Sequence, residues 1–202
     1  LSIKNSADLT DSCLITIALG CPKLARFEVQ GCNRITEMGI RKMASILRQT
    51  LVDVNISSCK HLITKSSLQA LQPIQNHIQK LHLDCVWENF VQLQESSTKK
   101  IKRKYTQILD SGNIIGGLSQ KLTWTMLQRL SLCFPVGELL TPLASAGLQS
   151  CPLLEEIQIR VEGDCRHQPR PSVPAFGLSS LACYPRLSRM LLDCGGAIGY
   201  AL

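Results

Sequence analysis

Leu24-Ala-Arg-Phe-Glu-Val29 is followed by Leu51-Val-Asp-Val-Asn-Ile56, and then by Ile78-Gln-Lys-Leu-His-Leu83. Each is a Leu-x-x-Leu-x-Leu phrase with conservative replacements, and the step between them is 27 residues both times. The phrase returns at Leu127, Leu130, Leu132, at Leu154, Ile157, Ile159 and at Leu187, Met190, Leu192. Leu127 to Leu154 is again 27 residues, and Leu1 with Ile3 fits the last two positions of an earlier copy. Self-similarity at one fixed period of this length marks a repeat architecture. Steps of 49 residues from Ile78 to Leu127 and 33 from Leu154 to Leu187 mark a large and a small insertion.

Within each copy the apolar residues first alternate, as in a half-buried strand, and then fall at helical spacing. Ile40, Met43, Ala44 and Leu47 lie at i, i+3, i+4 and i+7, one face of a helix. Leu14, Ile17 and Ala18 repeat this one period earlier, Leu68, Leu71 and Ile74 one period later, and Leu178, Leu181 and Ala182 near the end. Thr10 or Asp11, Thr36 and Thr64 stand where N-caps would accept orphan backbone N–H bonds, and Pro73 should end or kink the third helix. The expected fold is α/β: a leucine-rich-repeat solenoid (horseshoe) with parallel strands on the concave face and helices on the convex face. Residues 1–85 and 127–202 carry the repeats, 86–126 form a flexible basic insertion, and 163–176 form a Pro-rich excursion containing Pro169, Pro171 and Pro174.

Composition agrees with a packed core. At 45% hydrophobic and 18% charged the chain is not disordered, and 31 leucines beside only 9 aromatic residues favour leucine-spaced packing. No apolar run is long enough to span a membrane. The net charge of +7 points first to nucleic acid. Five of those charges, however, are Lys99, Lys100, Lys102, Arg103 and Lys104, which leaves +2 on everything else. This basic stretch reads as a solvated loop and as a nuclear-import candidate, not as a nucleic-acid surface.

The 10 cysteines include no Cys-x-x-Cys. The nearest metal-like pair, Cys165 with His167, lacks two further ligands, so no metal site is expected. The cysteines instead follow the repeat. Cys32 and Cys59 each lie five residues after the central strand position of their copies. Cys21 and Cys151 open Cys-Pro-x-Leu phrases, and Tyr184-Pro-Arg-Leu187 is the same phrase with Tyr for Cys. Most are read as reduced core residues, which would place the chain in the cytosol or nucleus. The rival is a disulfide-stapled extracellular leucine-rich-repeat ligand-binding receptor. The sequon Asn55-Ile56-Ser57 would suit that rival, but it falls inside an expected strand.

No nucleophile elbow, P-loop, dinucleotide fingerprint or zincin motif occurs, so no catalytic residue or cofactor is assigned. His82 and Asp84 share a strand face without a third residue to complete a triad. The alternation predicts the outward side chains of each strand: Arg26, Glu28, Gln30; Asp53, Asn55, Ser57; Lys80, His82, Asp84; Arg129, Ser131, Cys133; Glu156, Gln158, Arg160; and Arg189, Leu191, Asp193. Both signs of charge are present, which suits a protein partner better than a phosphate backbone. Lys80, His82, Asp84, Arg129, Glu156, Gln158, Arg160, Arg189 and Asp193 are the partner-binding candidates.

The Cys-Pro-x-Leu phrase and the Leu-x-Leu-x-x-Cys strand resemble the cysteine-containing repeats of F-box proteins. Longer phrases are more specific: LSIKNSADLTD at 1–11, LHLDCVW at 81–87, EEIQIRVEGDCR at 155–166 and PAFGLSSLACYPRLSRMLLDCGGAIGYAL at 174–202. They resemble the plant F-box/leucine-rich-repeat family of strigolactone and karrikin signalling, the more-axillary-growth or DWARF type. The likeness covers nearly the whole chain apart from roughly 88–126. It implies a nuclear, non-catalytic substrate-recognition module of an SCF-type E3 ubiquitin ligase. Its repeats would bind a hormone-activated α/β-hydrolase receptor and promote ubiquitination and degradation of repressor proteins. A Skp-type adaptor would be held through an F-box that this sequence lacks. The chain also opens inside a repeat, so a fragment of a longer array is expected.

Overall fold

The computed structural model describes residues 1–85, 124–135, 148, 150–164 and 183–198. Seven strands, β1 (Ser2–Lys4), β2 (Arg26–Gln30), β3 (Asp53–Ser57), β4 (Lys80–Asp84), β5 (Arg129–Pro135), β6 (Glu156–Asp164) and β7 (Arg189–Ile198), form one sheet. All neighbours are parallel, and the spatial order is the chain order. Helices α1 (Asp11–Gly20), α2 (Glu37–Ile46) and α3 (Thr64–Ala70) return the chain between the first four strands. A 3-10 turn, Gln72–Ile74, follows α3 because Pro73 cannot continue it.

The register reproduces the sequence period residue for residue. Phe27 lies beside Val54, Val54 beside Leu81, and Leu81 beside Leu130. These residues and their i+2 neighbours Val29, Ile56, Leu83 and Leu132 are buried against Leu14, Ala18, Ile40, Met43, Ala44, Leu68 and Leu71. Burying each such side chain stabilises the fold by about 1.5–3 kcal/mol, but only when the next unit covers it.

Backbone bonds bind unit to unit at both strand ends. The carbonyls of Ala25, Val52, Gln79, Gln128 and Glu155 each accept two N–H bonds from the next strand's entry. Gln79 O accepts from Gln128 and Arg129 at 2.8 and 3.0 Å, so the ladder continues across the large insertion without a register slip. At the other end, Asn5, Gly31 and Ser58 occupy equivalent positions with φ of 52°, 63° and 54°, and their N–H groups donate to Gln30 O, Ser57 O and Asp84 O. A left-handed residue turns the chain off each strand, and Gly31 adopts that conformation without steric cost.

Several expectations need correction. Thr64 is the first residue of α3, not its cap; Ile63 takes the cap position, and the buried Thr64 hydroxyl donates to Cys85 O at 3.0 Å. Thr10 is the N-cap residue of α1 but its side chain caps nothing, whereas the Thr36 hydroxyl accepts from Met38 N. Cys133 lies in the outward row, as expected, yet is only 8% exposed, because Asp84 and Glu162 close around its thiol. Met190 and Leu192, expected inward, are 38% and 39% exposed, since β7 has a single strand neighbour among the described residues. Trp124, assigned to the insertion by sequence, is fully buried and heads the largest buried side chains.

The helix expected around Leu178, Leu181 and Ala182 lies outside the described residues, as do Lys99, Lys100, Lys102, Arg103 and Lys104 and the excursion beyond Asp164. No helix among the described residues is long and apolar enough to cross a membrane.

Cys13, Cys21, Cys32, Cys59, Cys85, Cys133, Cys151 and Cys183 carry free thiols, and Cys32, Cys59, Cys85, Cys133 and Cys151 are buried. Cys32 and Cys59 each donate to the carbonyl two residues back, at 3.4 Å, one identical contact per unit. Cys21 and Cys183 are exposed; since Cys21 opens a Cys-Pro-x-Leu phrase, that phrase does not by itself bury its cysteine. At the position equivalent to Cys21, Cys151 and Tyr184 are both buried, and both donate to Leu148 O, at 3.3 and 2.7 Å. Burial pushes the Cys151 thiol up to about 12.

Candidate functional site

The open face of the sheet, away from the helices, carries three rows of side chains about 4.8 Å apart from strand to strand. The row at the strand starts is Arg26, Asp53, Lys80, Arg129, Glu156, Arg189. Arg26 Nε reaches Asp53 Oδ2 at 2.9 Å. Arg129 Nε and Arg189 Nη1 both reach Glu156 Oε2, each at 3.5 Å. Lys80 forms no ion pair among the described residues. Such exposed pairs contribute at most about 1 kcal/mol each, so they arrange charge more than they stabilise.

The middle row is Glu28, Asn55, His82, Ser131, Gln158, Leu191. His82 Nδ1 lies 2.8 Å from Ser131 Oγ on the next strand. Desolvation lowers the His82 pKa, and the Asp84 carboxylate opposes that in part. A serine–histidine contact is what nucleophile activation needs. Here both residues sit mid-strand in a parallel sheet, where backbone N–H groups are committed to the ladder, so no N–H pair is free to hold an oxyanion. The contact is structural. Beside it, Asn55 Oδ1 is buried and has no hydrogen-bond partner among the described residues. Asn55 also opens the sequon Asn55-Ile56-Ser57, and its place within β3 argues against a sugar there.

The third row is Gln30, Ser57, Asp84, Cys133, Arg160, Asp193. Ligand-type atoms of Asp84, Cys133 and Glu162 lie within 4.8 Å of one another. Desolvation first, and then the two carboxylates, push the Cys133 thiol up to about 12, so it stays protonated. Arg160 Nη2 forms an ion pair with Glu162.

The structure thus gathers Lys80, His82, Arg129, Glu156 and Gln158 around one shallow depression of about 250 Å³, together with Asp53, Asn55 and Ser131. Asp84 sits apart with Cys133 and Glu162, Arg160 is tied to Glu162, and Arg189 shares Glu156. Asp193 lies exposed on β7. Sequence reasoning missed Glu162, which the strand phrase does not reach. A register shift between Arg160 and Glu162 sets its place. The outward sets already put Asp84 and Cys133 at the same position of successive strands, but nothing in the sequence showed Glu162 joining them.

No family model matches the chain. Among curated proteins, the F-box protein MAX2 of Arabidopsis thaliana is 47% identical over 222 aligned residues, which cover 100% of this chain and 32% of that protein. The chain is homologous to part of the MAX2 F-box proteins. F-box protein MAX2 homolog A of Petunia hybrida is 46% identical over 100% of the chain and 34% of its own length. The F-box/LRR-repeat MAX2 homolog of Oryza sativa subsp. japonica is 43% identical over 100% of the chain and 29% of its own length. The chain therefore spans about a third of the length of the MAX2 relatives it matches.

Proposed function

We propose that the chain is a stretch of a leucine-rich-repeat solenoid whose open sheet face lines the concave side. In this reading it is the substrate-recognition part of an SCF-type E3 ubiquitin ligase. It binds a hormone-activated α/β-hydrolase receptor of strigolactone or karrikin signalling and promotes ubiquitination and degradation of repressor proteins. A Skp-type adaptor is held by an F-box outside the residues described above, and the complex works in the nucleus. The chain contributes no catalytic group; it is an adaptor. Identity of 43–47% along the whole chain to MAX2 F-box proteins carries this reading. The mixed-charge open face supports it.

The test is co-precipitation of purified hydrolase receptor, with its hormone, by the full-length F-box protein. Arg160→Glu, Arg189→Glu and Asp193→Arg together should weaken capture at least tenfold. Capture unchanged by all three reversals would remove the open face of β6 and β7 from the interface.

A further inference from the structure

The strand-start row alternates in sign except at one place. Read across the sheet it is Arg26, Asp53, Lys80, Arg129, Glu156, Arg189. Asp53 is committed to Arg26 at 2.9 Å, and Glu156 divides itself between Arg129 and Arg189. Lys80 and Arg129 are therefore direct cross-strand neighbours of like charge. Such a pair is unfavourable unless an anion lies between them. Lys80 is left without an ion pair among the described residues, and Arg129 holds only a shared one.

The space around this pair is open. Two depressions, of about 520 and 250 Å³, meet at Asp53 and Lys80, and the second extends past Arg129 to Gln158. A second, independent observation lies in the same depression. Asn55 Oδ1 is buried with no hydrogen-bond donor among the described residues, although Asn55 lines the cleft one strand from His82. A buried acceptor left without a donor costs about 1–3 kcal/mol, so a partner that brings an N–H recovers that loss.

We propose that the cleft between Lys80 and Arg129 receives the carboxylate of an acidic residue on an extended segment of a protein partner, with an N–H of the same segment donated to Asn55 Oδ1. The anion completes the alternation of the row: plus, minus, plus, minus, plus, minus, plus. A nucleic-acid backbone fits poorly. Phosphates tracking the row would meet Asp53 on one side and Glu156 on the other, each one strand away from a cation. A single carboxylate seated between Lys80 and Arg129 has a cation on each side, with Asp53 and Glu156 each one strand farther away. The inference rests on the open face being a recognition surface, and it does not depend on which receptor docks there.

The experiment titrates the full chain with three short extended peptides, Gly-Ser-Glu-Ser-Gly, its Gln counterpart and its phosphoserine counterpart, followed by NMR of side-chain Nζ, Nε and amide groups. The Glu peptide should give saturable shifts at Lys80, Arg129 and the Asn55 amide, and the Gln peptide none at Lys80 or Arg129. Lys80→Gln and Arg129→Gln should each weaken binding about fivefold, as expected for one exposed charge contact, while Lys80→Arg retains it. Lys42→Gln, on an exposed position of α2, should change nothing. Equal shifts with the Glu and Gln peptides, or no shifts at all, overturn the proposal. Tighter binding of the phosphoserine peptide overturns the choice of a carboxylate. Because no receptor is present, this outcome is independent of the co-precipitation test above.

Discussion

Asp11 of the first unit holds the cap of the second: its Oδ1 accepts the Thr36 backbone N–H at 2.8 Å and its Oδ2 accepts the Thr36 hydroxyl at 2.6 Å. Thr36 in turn accepts from Met38 N, so one carboxylate positions the cap of the next helix. Glu37 occupies the equivalent place one unit on, and its Oε1 accepts from Ile63 N at 3.2 Å. A Cβ on Gly39 would collide with the Asp11 carboxylate, which explains a glycine inside α2, where it costs helix stability.

Asp11→Ala should therefore destabilise the fold by about 1–2 kcal/mol, the range of a lost cap with its charge-assisted bond. Gly39→Ala should also destabilise, against its helix propensity, and should be better tolerated once Asp11 is already Ala. Chemical denaturation of the two single variants and the double variant measures that coupling.

Trp124→Ala should cost about 3–5 kcal/mol, because a fully buried indole leaves a large cavity. Trp124→Phe should cost clearly less. The indole Nε1–H has no acceptor among the described residues, so removing it forfeits no hydrogen bond. Urea melts separate the two outcomes. Equal losses would show that Nε1 does find a partner.

His82 gives a pH signature of defined sign. Its pKa is lowered in the folded state by desolvation. Between that value and the ordinary one near ~6.5, the unfolded chain binds more protons, so stability rises with pH in this window. The His82 contribution is fully present above ~6.5 and is lost as pH falls below it. His82→Gln, which can still bond Ser131, should flatten the stability profile just below about pH 6.5 relative to the wild type. An unchanged slope would show that His82 is not the group responsible.

Thiol labelling should divide the cysteines by burial. In denaturant without reductant, all 10 should react as free thiols, and five disulfides would be incompatible with the structure. In native buffer near neutral pH, Cys21 and Cys183 should label first. Cys151 and Cys133, with thiols pushed up to about 12, should label only on unfolding.

The 27-residue period by itself determined which strand residues alternate inward, which helix faces pack on them and that all strands run in one direction. Each of these is a local rule repeated, and a one-residue slip would turn every apolar side chain to the wrong face. Thus Phe27, Val54 and Leu81 could be placed beside one another from sequence alone. The tertiary structure alone decided what neighbouring strands do to each other's polar residues. It set Ser131 against His82, shared Glu156 between two arginines, left Lys80 without an ion pair among the described residues, and closed Asp84 and Glu162 over Cys133. Those outcomes depend on distances between side chains whose residues lie 27 to 49 positions apart in sequence, and on desolvation that only the assembled sheet imposes.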